Sequence, residues 1–182
     1  MNVSTLAVAV LLASAPTRID TIQATDLQGK PVTIQTSGKI TAVLFVSTNC
    51  PVSNDYNERM KALYRDYSGR GVSFVFLNAN ANEPAAEVAR HAQAAGFTFP
   101  VFKDLNNAEA DRFHAEFTPH VFIVGRDSQV IYRGAIDDSR SAARIGKNHL
   151  RDALDAAMAG KALPAAETKA FGCTIKRVGK SS

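Results

Sequence analysis

Two stretches of the chain have the hydrophobic pattern of strands that are buried on both faces of a sheet. Ile40 to Val46 and Val72 to Leu77 are nearly continuous apolar runs rich in β-branched and aromatic residues, as in a parallel sheet covered on both sides. Between them, from Tyr56 to Tyr67, apolar residues recur at helical spacing and charged residues take the other positions. This order predicts a β-α-β unit with a right-handed crossover.

Shorter elements are predicted on both sides of this unit. The turn-forming segment Asp26 to Pro31 is followed by the alternating residues Val32 to Ile34, which predicts an N-terminal hairpin. The remaining predictions are a helix opened by Asn82 and Pro84 and closed by Gly96, a short strand at 99–102, a short helix at 106–114, a hairpin of strands 121–124 and 130–132 across the turn 125–128, and a final helix at about 147–159. Together these elements predict an α/β thioredoxin-like fold, with a central mixed β-sheet flanked by helices and the N-terminal hairpin as an extension.

One compact domain accounts for the length and composition of the chain. The 182 residues are 46% hydrophobic and 21% charged, which suffices for one core but not for two ordinary domains. We assign residues 18–163 to a thioredoxin-like domain and residues 164–182 to a C-terminal tail that bears Cys173. The net charge of +4 is scattered, so the sequence predicts no nucleic-acid partner. It has no run of about 20 apolar residues to span a membrane, and its two cysteines cannot form a zinc finger.

Residues 1–17 are interpreted as a signal peptide or an apolar N-terminal segment. Leu6 to Ala15 has the length of a signal-peptide apolar region and ends in the small-x-small pattern Ala13-Ser14-Ala15. No Lys or Arg precedes Arg18, and Pro16 would directly follow the cut; both features are atypical of a processed leader. We favour an exported or periplasmic protein. The alternative is a cytoplasmic protein whose N-terminal strand or helix lies on the domain.

Cys50 lies where the first buried strand is predicted to end and the amphipathic helix to begin. Backbone N–H groups and the helix dipole at such a position stabilise a thiolate without an added charge, and the thiolate is the reactive form of cysteine. Pro51 suits the first helical turn, where its missing N–H is not needed. Cys50 is therefore a candidate redox nucleophile. The alternative is that it is a small buried hydrophobic residue.

No second cysteine stands beside Cys50. Ser53 occupies the position where a C-x-x-C redox pair would place its resolving thiol, so Cys173, 123 positions after Cys50, is the one internal candidate. It reaches Cys50 if the tail folds back and brings the two Cα atoms within about 7 Å. Closing so long a loop stabilises a chain by roughly 4–5 kcal/mol in the chain-entropy model. A reversible redox pair, a static disulfide and no pairing all remain open.

Thr118 and Pro119 precede a predicted strand, and a proline there is a strand-start residue or a cis proline. In a thioredoxin-type sheet this loop faces the nucleophile. A cis bond would turn the Thr118 carbonyl and N–H outward, where an extended substrate backbone could pair with them. Three residues around Cys50 are also predicted to contact substrate: Thr48, Pro51 and Ser53.

No metal or cofactor is predicted. Asp137 and Asp138 follow a strand, but without a third acid or a histidine nearby in the sequence, a turn or helix cap accounts for them better than a metal site. His120 alternates with Val121 and Phe122 and is interpreted as a half-exposed strand residue, with a base or a ligand as the alternative. The other three histidines are interpreted as surface residues: His91, His114 and His149.

Four segments, in this order, resemble the redoxin-domain proteins of the thioredoxin superfamily, which are related to alkyl hydroperoxide reductase and thiol-specific antioxidant. They are FVSTNCPVSN at 45–54, TPHVF at 118–122, YRGAIDD at 132–138 and FGCTIK at 171–176. The resemblance spans about residues 26–176. It implies the thioredoxin fold, Cys50 as the reactive cysteine, Pro119 as a cis proline, and a role for Cys173.

The sequence departs from both parent groups of this family. Peroxiredoxins carry a proline seven places and a threonine three places before the reactive cysteine, where this chain has Val43 and Ser47. They also place an activating arginine in the loop that here reads Thr118-Pro119. A thioredoxin would have a cysteine at the position of Ser53. The resemblance therefore implies the fold more specifically than the chemistry.

The predicted function is that of a thiol-based oxidoreductase. The Cys50 thiolate attacks a disulfide or a hydroperoxide, and Cys173 or an external thiol reductant resolves the resulting mixed disulfide or sulfenic acid. A protein disulfide is favoured over a hydroperoxide as substrate, because Thr118-Pro119 offers an edge for peptide docking. The alternative is a non-catalytic thioredoxin-fold binding module with a permanent Cys50–Cys173 disulfide.

Overall fold

The computed structural model describes residues 17–179. Its strands are β1 (Thr21–Thr25), β2 (Pro31–Gln35), β3 (Ile40–Phe45), β4 (Val72–Asn78), β5 (Val101–Lys103), β6 (Phe117–Thr118), β7 (His120–Val124), β8 (Val130–Gly134) and β9 (Cys173–Thr174). Its α-helices are α1 (Pro51–Asp55), α2 (Asn57–Ser68), α3 (Ala85–Ala94), α4 (Ala108–Phe113) and α5 (His149–Met158). Residues 1–16, on which the signal-peptide interpretation depends, lie outside the described residues. Within residues 17–179, no helix is both long and apolar enough to cross a membrane.

Seven strands form one mixed sheet in the order β2-β1-β5-β4-β3-β7-β8. The central strands β3, β4 and β5 run parallel, and β7 and β8 form an antiparallel hairpin at one side. At the other side, β1 and β2 form the predicted N-terminal hairpin. The central mixed sheet and its flanking helices agree with the architecture predicted from the sequence.

The residues of β3 alternate between two apolar clusters. Ala42 and Leu44 belong to a cluster with residues of α2, α3 and α5, whereas Val43 and Phe45 belong to a cluster with Phe113 of α4. All six residues of this strand are buried. This two-sided burial explains why the strand has a continuous apolar pattern rather than an alternating one.

The amphipathic helix predicted after Pro51 is divided at Tyr56. The Tyr56 N–H donates to the Ser53 carbonyl at 3.1 Å, which is the i→i−3 spacing of a 3-10 turn. Tyr56 is buried, and its hydroxyl donates to Asp137 Oδ1 at 2.9 Å. The helix that follows the cysteine is therefore a separate short element, fixed by a contact with the loop after β8.

The C-terminal tail packs along the domain. Ile175 is buried, and its N–H donates to the Glu116 carbonyl at 2.9 Å. The Lys176 carbonyl accepts the Ala81 N–H at 2.8 Å. Just before Ile175, β9 pairs antiparallel with β6 in a separate two-stranded sheet. Residues after α5 have no regular hydrophobic period, so the pattern alone does not predict this docking.

Candidate active site

Cys50 caps the N-terminus of α1, at the junction of strand and helix that the sequence predicts. Its backbone is extended (φ −84°, ψ 113°), and its sulfur accepts the Ser53 N–H at 3.3 Å. Pro51 occupies the start of the helix, where no N–H is required. Since α1 has only five residues, it is this hydrogen bond, rather than the dipole of a long helix, that would stabilise a Cys50 thiolate when the disulfide is reduced.

A disulfide joins Cys50 to Cys173, with the Cα atoms 5.8 Å apart. This separation is ordinary for a disulfide, and it requires that the tail fold back to the start of α1. Of the three outcomes that the sequence leaves open, the absence of pairing is thereby excluded. Cys50 is only 2% exposed, whereas Cys173 is half-buried. The tail cysteine is therefore the more accessible member of the pair.

Thr118 lies beside both cysteines. Its carbonyl oxygen is 3.2 Å from Cys50 Sγ, and its backbone pairs with that of Cys173 between β6 and β9. The Thr118–Pro119 peptide bond is cis, as the resemblance implies. The edge that the sequence assigns to an extended substrate backbone is therefore covered by the tail of the same chain.

Gly172 lets the tail approach this edge closely. It has φ +156°, and a Cβ at this position would overlap the Thr118 carbonyl. Only glycine combines this backbone conformation with so close an approach. The preceding residue, Phe171, packs against Tyr56 with the ring centroids 6.2 Å apart. The tail segment that carries Cys173 is thus fitted both to β6 and to the start of α2.

The other residues predicted to contact substrate surround Cys50 but differ in exposure. Pro51 is exposed, whereas Thr48 and Ser53 are buried. Ser53 Oγ accepts the Ser47 N–H at 3.2 Å, so its hydroxyl fixes the loop that leads to Cys50. The structure brings the predicted site residues together at one end of the sheet. Their contact with a substrate stays a prediction.

A buried carboxylate, which the sequence pattern does not single out, holds the loop between β3 and α1. Glu83 is 2% exposed and accepts five hydrogen bonds. The donors are Ser47 Oγ, the Thr48 N–H at 2.9 Å, the Asn49 N–H at 3.2 Å, Asn78 Nδ2 and Asn80 Nδ2 at 3.1 Å. Burial by itself raises the pKa of Glu83, but the hydrogen bonds outweigh it and hold the pKa below its ordinary value. Ser47 Oγ also accepts the Cys50 N–H at 3.0 Å, so the carboxylate is linked to the cysteine through one hydroxyl.

Lys103 completes this buried polar cluster. Its Nζ donates to the Asn80 carbonyl at 3.0 Å and to the Glu83 carbonyl at 2.7 Å. Burial lowers the pKa of Lys103, while the carboxylates of Glu83 and Asp104 act in the opposite direction. The end of β5 and the loop after β4 are thereby fixed to the loop that carries Cys50.

Asp137 forms a buried ion pair in addition to the predicted turn. Its Oδ1 accepts the Ser139 N–H at 3.1 Å, as in a turn, and its Oδ2 pairs with Arg59 Nη1 at 2.8 Å. The Arg59 guanidinium lies 3.5 Å from the centre of the Tyr56 ring. In the part of the chain that the structure describes, no group of three or more His, Cys, Asp or Glu residues is arranged to hold a metal ion.

Two histidines are more buried than expected from the sequence. His120 is 8% exposed, because every residue of β7 is covered, so the inference from alternation is wrong there. Its Nδ1 accepts the Glu116 N–H at 3.2 Å, and burial lowers the pKa of His120 to about 4. His91 is half-buried rather than a surface residue. Its Nε2 lies 2.9 Å from Asn54 Oδ1, and burial lowers its pKa.

A mixed sheet with a cysteine at the start of the helix after β3, and a cis proline facing it, defines a thioredoxin-like protein. A candidate thioredoxin from Neisseria meningitidis has this fold, with a TM-score of 0.56 and 20% identity over 66% of this chain and 79% of that chain. The family model for Redoxin matches residues 13–148. The chain belongs to the Redoxin family.

Two further relatives extend the comparison. An uncharacterized conserved protein from Geobacillus kaustophilus has a TM-score of 0.82 and 28% identity, covering 91% of this chain and 93% of that chain. The thiol-disulfide oxidoreductase ResA of Halalkalibacterium halodurans is 26% identical over 107 residues, which are 58% of this chain. The match spans 60% of the length of ResA.

Proposed function

We propose that the protein is a thiol-disulfide oxidoreductase whose Cys50 and Cys173 cycle between a dithiol and a disulfide. The observation that carries this proposal is the disulfide itself, formed by a cysteine whose sulfur accepts a backbone N–H at the start of a helix. The similarity to ResA, named as a thiol-disulfide oxidoreductase, supports the same class of reaction.

In the reducing direction, the Cys50 thiolate attacks one sulfur of a protein disulfide, forms a mixed disulfide and releases the other substrate sulfur as a thiolate. The Cys173 thiolate then attacks Cys50 Sγ, which forms the internal disulfide and releases the second substrate thiolate. The two electrons of the protein dithiol have then passed to the substrate. An external thiol returns the protein to the dithiol form.

A second candidate function is a binding module in which the disulfide is permanent. Two observations favour it: Cys50 is almost completely buried, and the tail is hydrogen-bonded to the domain on both sides of Cys173. In that case the disulfide is a structural crosslink and the protein has no turnover.

Reduction of hydroperoxides has less support. It requires donors aimed at the negative charge that develops on the peroxide oxygens. Within residues 17–179, the hydrogen-bond donor at Cys50 Sγ is the Ser53 N–H, and no guanidinium donates to that sulfur. The protein disulfide therefore remains the favoured substrate.

We also propose an exported or periplasmic location. Disulfides persist in oxidising compartments and are rare in the cytosol, and this chain carries one between its two cysteines. Mass analysis of the native protein from separated cell fractions tests this location. It shows which fraction contains the protein, at which residue the protein begins and whether its two cysteines are disulfide-bonded.

Reduction of insulin by dithiothreitol, followed by turbidity, tests the oxidoreductase proposal with the wild type, Cys50→Ser and Cys173→Ser. Thr174→Ala, an exposed neighbour of Cys173, is the matched control that keeps both sulfurs. We expect the wild type and Thr174→Ala to accelerate the reaction and Cys50→Ser to abolish the acceleration. A wild type without activity, whose disulfide also resists dithiothreitol, would support the binding module. The same proteins assayed with hydrogen peroxide test the remaining substrate class.

A further inference from the structure

We propose that an external thiol attacks the Cys50–Cys173 disulfide at the sulfur of Cys173, so that the partner becomes attached to the tail and Cys50 is released as the thiolate. This inference rests on the proposed function, because it requires that the disulfide be redox active. It specifies which of the two sulfurs faces the redox partner.

Access favours Cys173. A thiolate attacks a disulfide sulfur in line with the bond that breaks, so the rate depends on which sulfur is open to solvent. Cys50 is 2% exposed, and its sulfur has the Thr118 carbonyl at 3.2 Å and the Ser53 N–H at 3.3 Å. Cys173 is half-buried and the following residue, Thr174, is exposed. A partner therefore meets Cys173 first.

Attack on Cys50 would require the tail to leave, and contacts on both sides of Cys173 oppose this. Before Cys173, the Thr168 N–H donates to the Arg133 carbonyl at 3.0 Å. After Cys173, Ile175 is 3% exposed and the Lys176 N–H donates to Asn80 Oδ1 at 2.8 Å. None of these contacts involves a sulfur atom, so they hold the tail in place when an external thiol attacks the oxidised protein.

The two sulfurs also differ as leaving groups. Cys50 Sγ accepts the Ser53 N–H, whereas among residues 17–179 no donor is placed on Cys173 Sγ. A hydrogen bond to sulfur stabilises the thiolate, and exchange is faster when the more stable thiolate leaves. Release of Cys50 is therefore favoured over release of Cys173.

The reaction is balanced with two external thiols. The first thiolate forms a bond to Cys173 Sγ, the Cys50–Cys173 bond breaks, and its electron pair goes to Cys50 Sγ. A second external thiolate then attacks the partner sulfur of the mixed disulfide and releases the Cys173 thiolate, which takes a proton from water. Two thiols are oxidised to one disulfide, and the protein disulfide is reduced to a dithiol.

The test uses the oxidised full-length protein with reduced glutathione as the probe, stopped at successive short times with excess N-ethylmaleimide. Peptide mass spectrometry then identifies which cysteine carries glutathione and which carries the maleimide. The ratio of glutathione on the two cysteines is extrapolated to zero time, before glutathione can pass from one sulfur to the other. We expect at least about tenfold more glutathione on Cys173 than on Cys50. The maleimide should be on Cys50.

The outcomes separate this inference from the proposed function. An excess of glutathione on Cys50, or an even division at zero time, overturns the inference and leaves a redox-active pair. An intact disulfide with no glutathione on either cysteine overturns both.

Two substitutions in the tail test the physical cause. Ile175→Ala removes a buried anchor, whereas Val178→Ala changes a residue that is 55% exposed. We expect Ile175→Ala to raise the share of glutathione on Cys50 several-fold and Val178→Ala to match the wild type. The same ratio in both variants would overturn the assignment of the shielding to the docked tail.

Discussion

At the scale of single residues, the charge of Glu83 is the feature most closely tied to Cys50. Its two oxygens face donors, of which Ser47 Oγ also accepts the Cys50 N–H. A carboxylate accepts at both oxygens, whereas a protonated acid or an amide turns one donor group toward its neighbours. The backbone around the cysteine is therefore held by an ionised side chain.

We predict that Glu83→Gln lowers the free energy of unfolding by about 2–4 kcal/mol, because its NH2 group faces donors that are left unsatisfied. Urea denaturation at neutral pH measures the change. Glu58→Gln, whose side chain is 83% exposed, is the matched control and should stay within about 0.5 kcal/mol of the wild type.

The stabilisation by Glu83 also depends on pH. Since the folded state lowers the pKa of Glu83, its contribution to the free energy of unfolding is complete above the ordinary pKa of 4.5 and is lost as the pH falls below it. Equal stability of the two variants would contradict this role.

Site residues that can be predicted from the sequence have a recognisable pattern in the residues next to them. The role of Glu83 and the burial of His120 have no such pattern. Cys50 follows an apolar run and precedes a proline and an amphipathic helix, and Pro119 directly precedes a strand. Glu83 is one acid in a polar segment, and three of its five donors, the Ser47 hydroxyl and the N–H groups of Thr48 and Asn49, come from a loop 34–36 residues earlier in the chain. The alternation around His120 predicts a half-exposed strand residue, whereas the structure buries every residue of β7, because this burial depends on elements that pack on both faces of the sheet.

We predict that acid destabilises the protein through His120. Burial lowers its pKa from 6.5 to about 4 in the folded state, so between these values the unfolded chain binds more protons. The free energy of unfolding therefore falls as the pH decreases from 6.5 toward 4, by up to about 3 kcal/mol. Urea titrations across this range measure the slope.

His120→Asn is the matched variant for this prediction, because Asn Oδ1 offers an acceptor where His Nδ1 receives the Glu116 N–H. It should remove the slope between pH 6.5 and 4 that is due to this residue. His114→Asn, at an exposed position, should keep it. Imidazole NMR signals of His120 that titrate near pH 6.5 would contradict the prediction directly.

At the scale of elements, long strands and the hairpins were predictable, whereas β6 and β9 were not. The buried strands and the β7–β8 hairpin have patterns contained within a few adjacent residues. β6 and β9 have two residues each and lie far apart in the sequence, so their pairing is set by the packing of the tail. The same limit applies to Tyr56, where a contact with Asp137 accompanies the break between α1 and α2.

We predict that Gly172→Ala weakens the β6–β9 pairing and with it the disulfide. The added Cβ overlaps the Thr118 carbonyl, and φ +156° is unfavourable for alanine. Backbone strain of about 1–3 kcal/mol lowers the equilibrium constant for disulfide formation by a factor of about 5 to 150. Equilibration with glutathione at fixed ratios of its reduced and oxidised forms measures this equilibrium constant.

Gly69→Ala is the control for Gly172→Ala. A Cβ at Gly69 meets nothing within 4 Å and its φ is negative, so this variant should form the disulfide as readily as the wild type. Wild-type behaviour of Gly172→Ala would show that the tail reaches Cys50 without the close approach to Thr118.

At the scale of the whole molecule, the disulfide links the start of α1 to a segment 123 residues later. It therefore restricts most of the unfolded chain. We predict that reduction lowers the free energy of unfolding by about 4–5 kcal/mol, mainly by releasing this loop. Urea denaturation with and without dithiothreitol measures the difference, and the double variant Cys50→Ser, Cys173→Ser should not respond to dithiothreitol. Equal stability of the oxidised and reduced wild type would contradict this prediction.

The docked tail also couples the stability of the folded state to the ease with which surrounding thiols reduce the disulfide. By thermodynamic linkage, the free energy by which the disulfide stabilises the folded state equals the free energy by which folding stabilises the disulfide against reduction. A stabilisation of about 4–5 kcal/mol makes the disulfide roughly a thousandfold harder to reduce in the native protein than in the unfolded chain. Any condition that loosens the tail, such as heat or denaturant, therefore makes the protein a stronger oxidant of surrounding thiols.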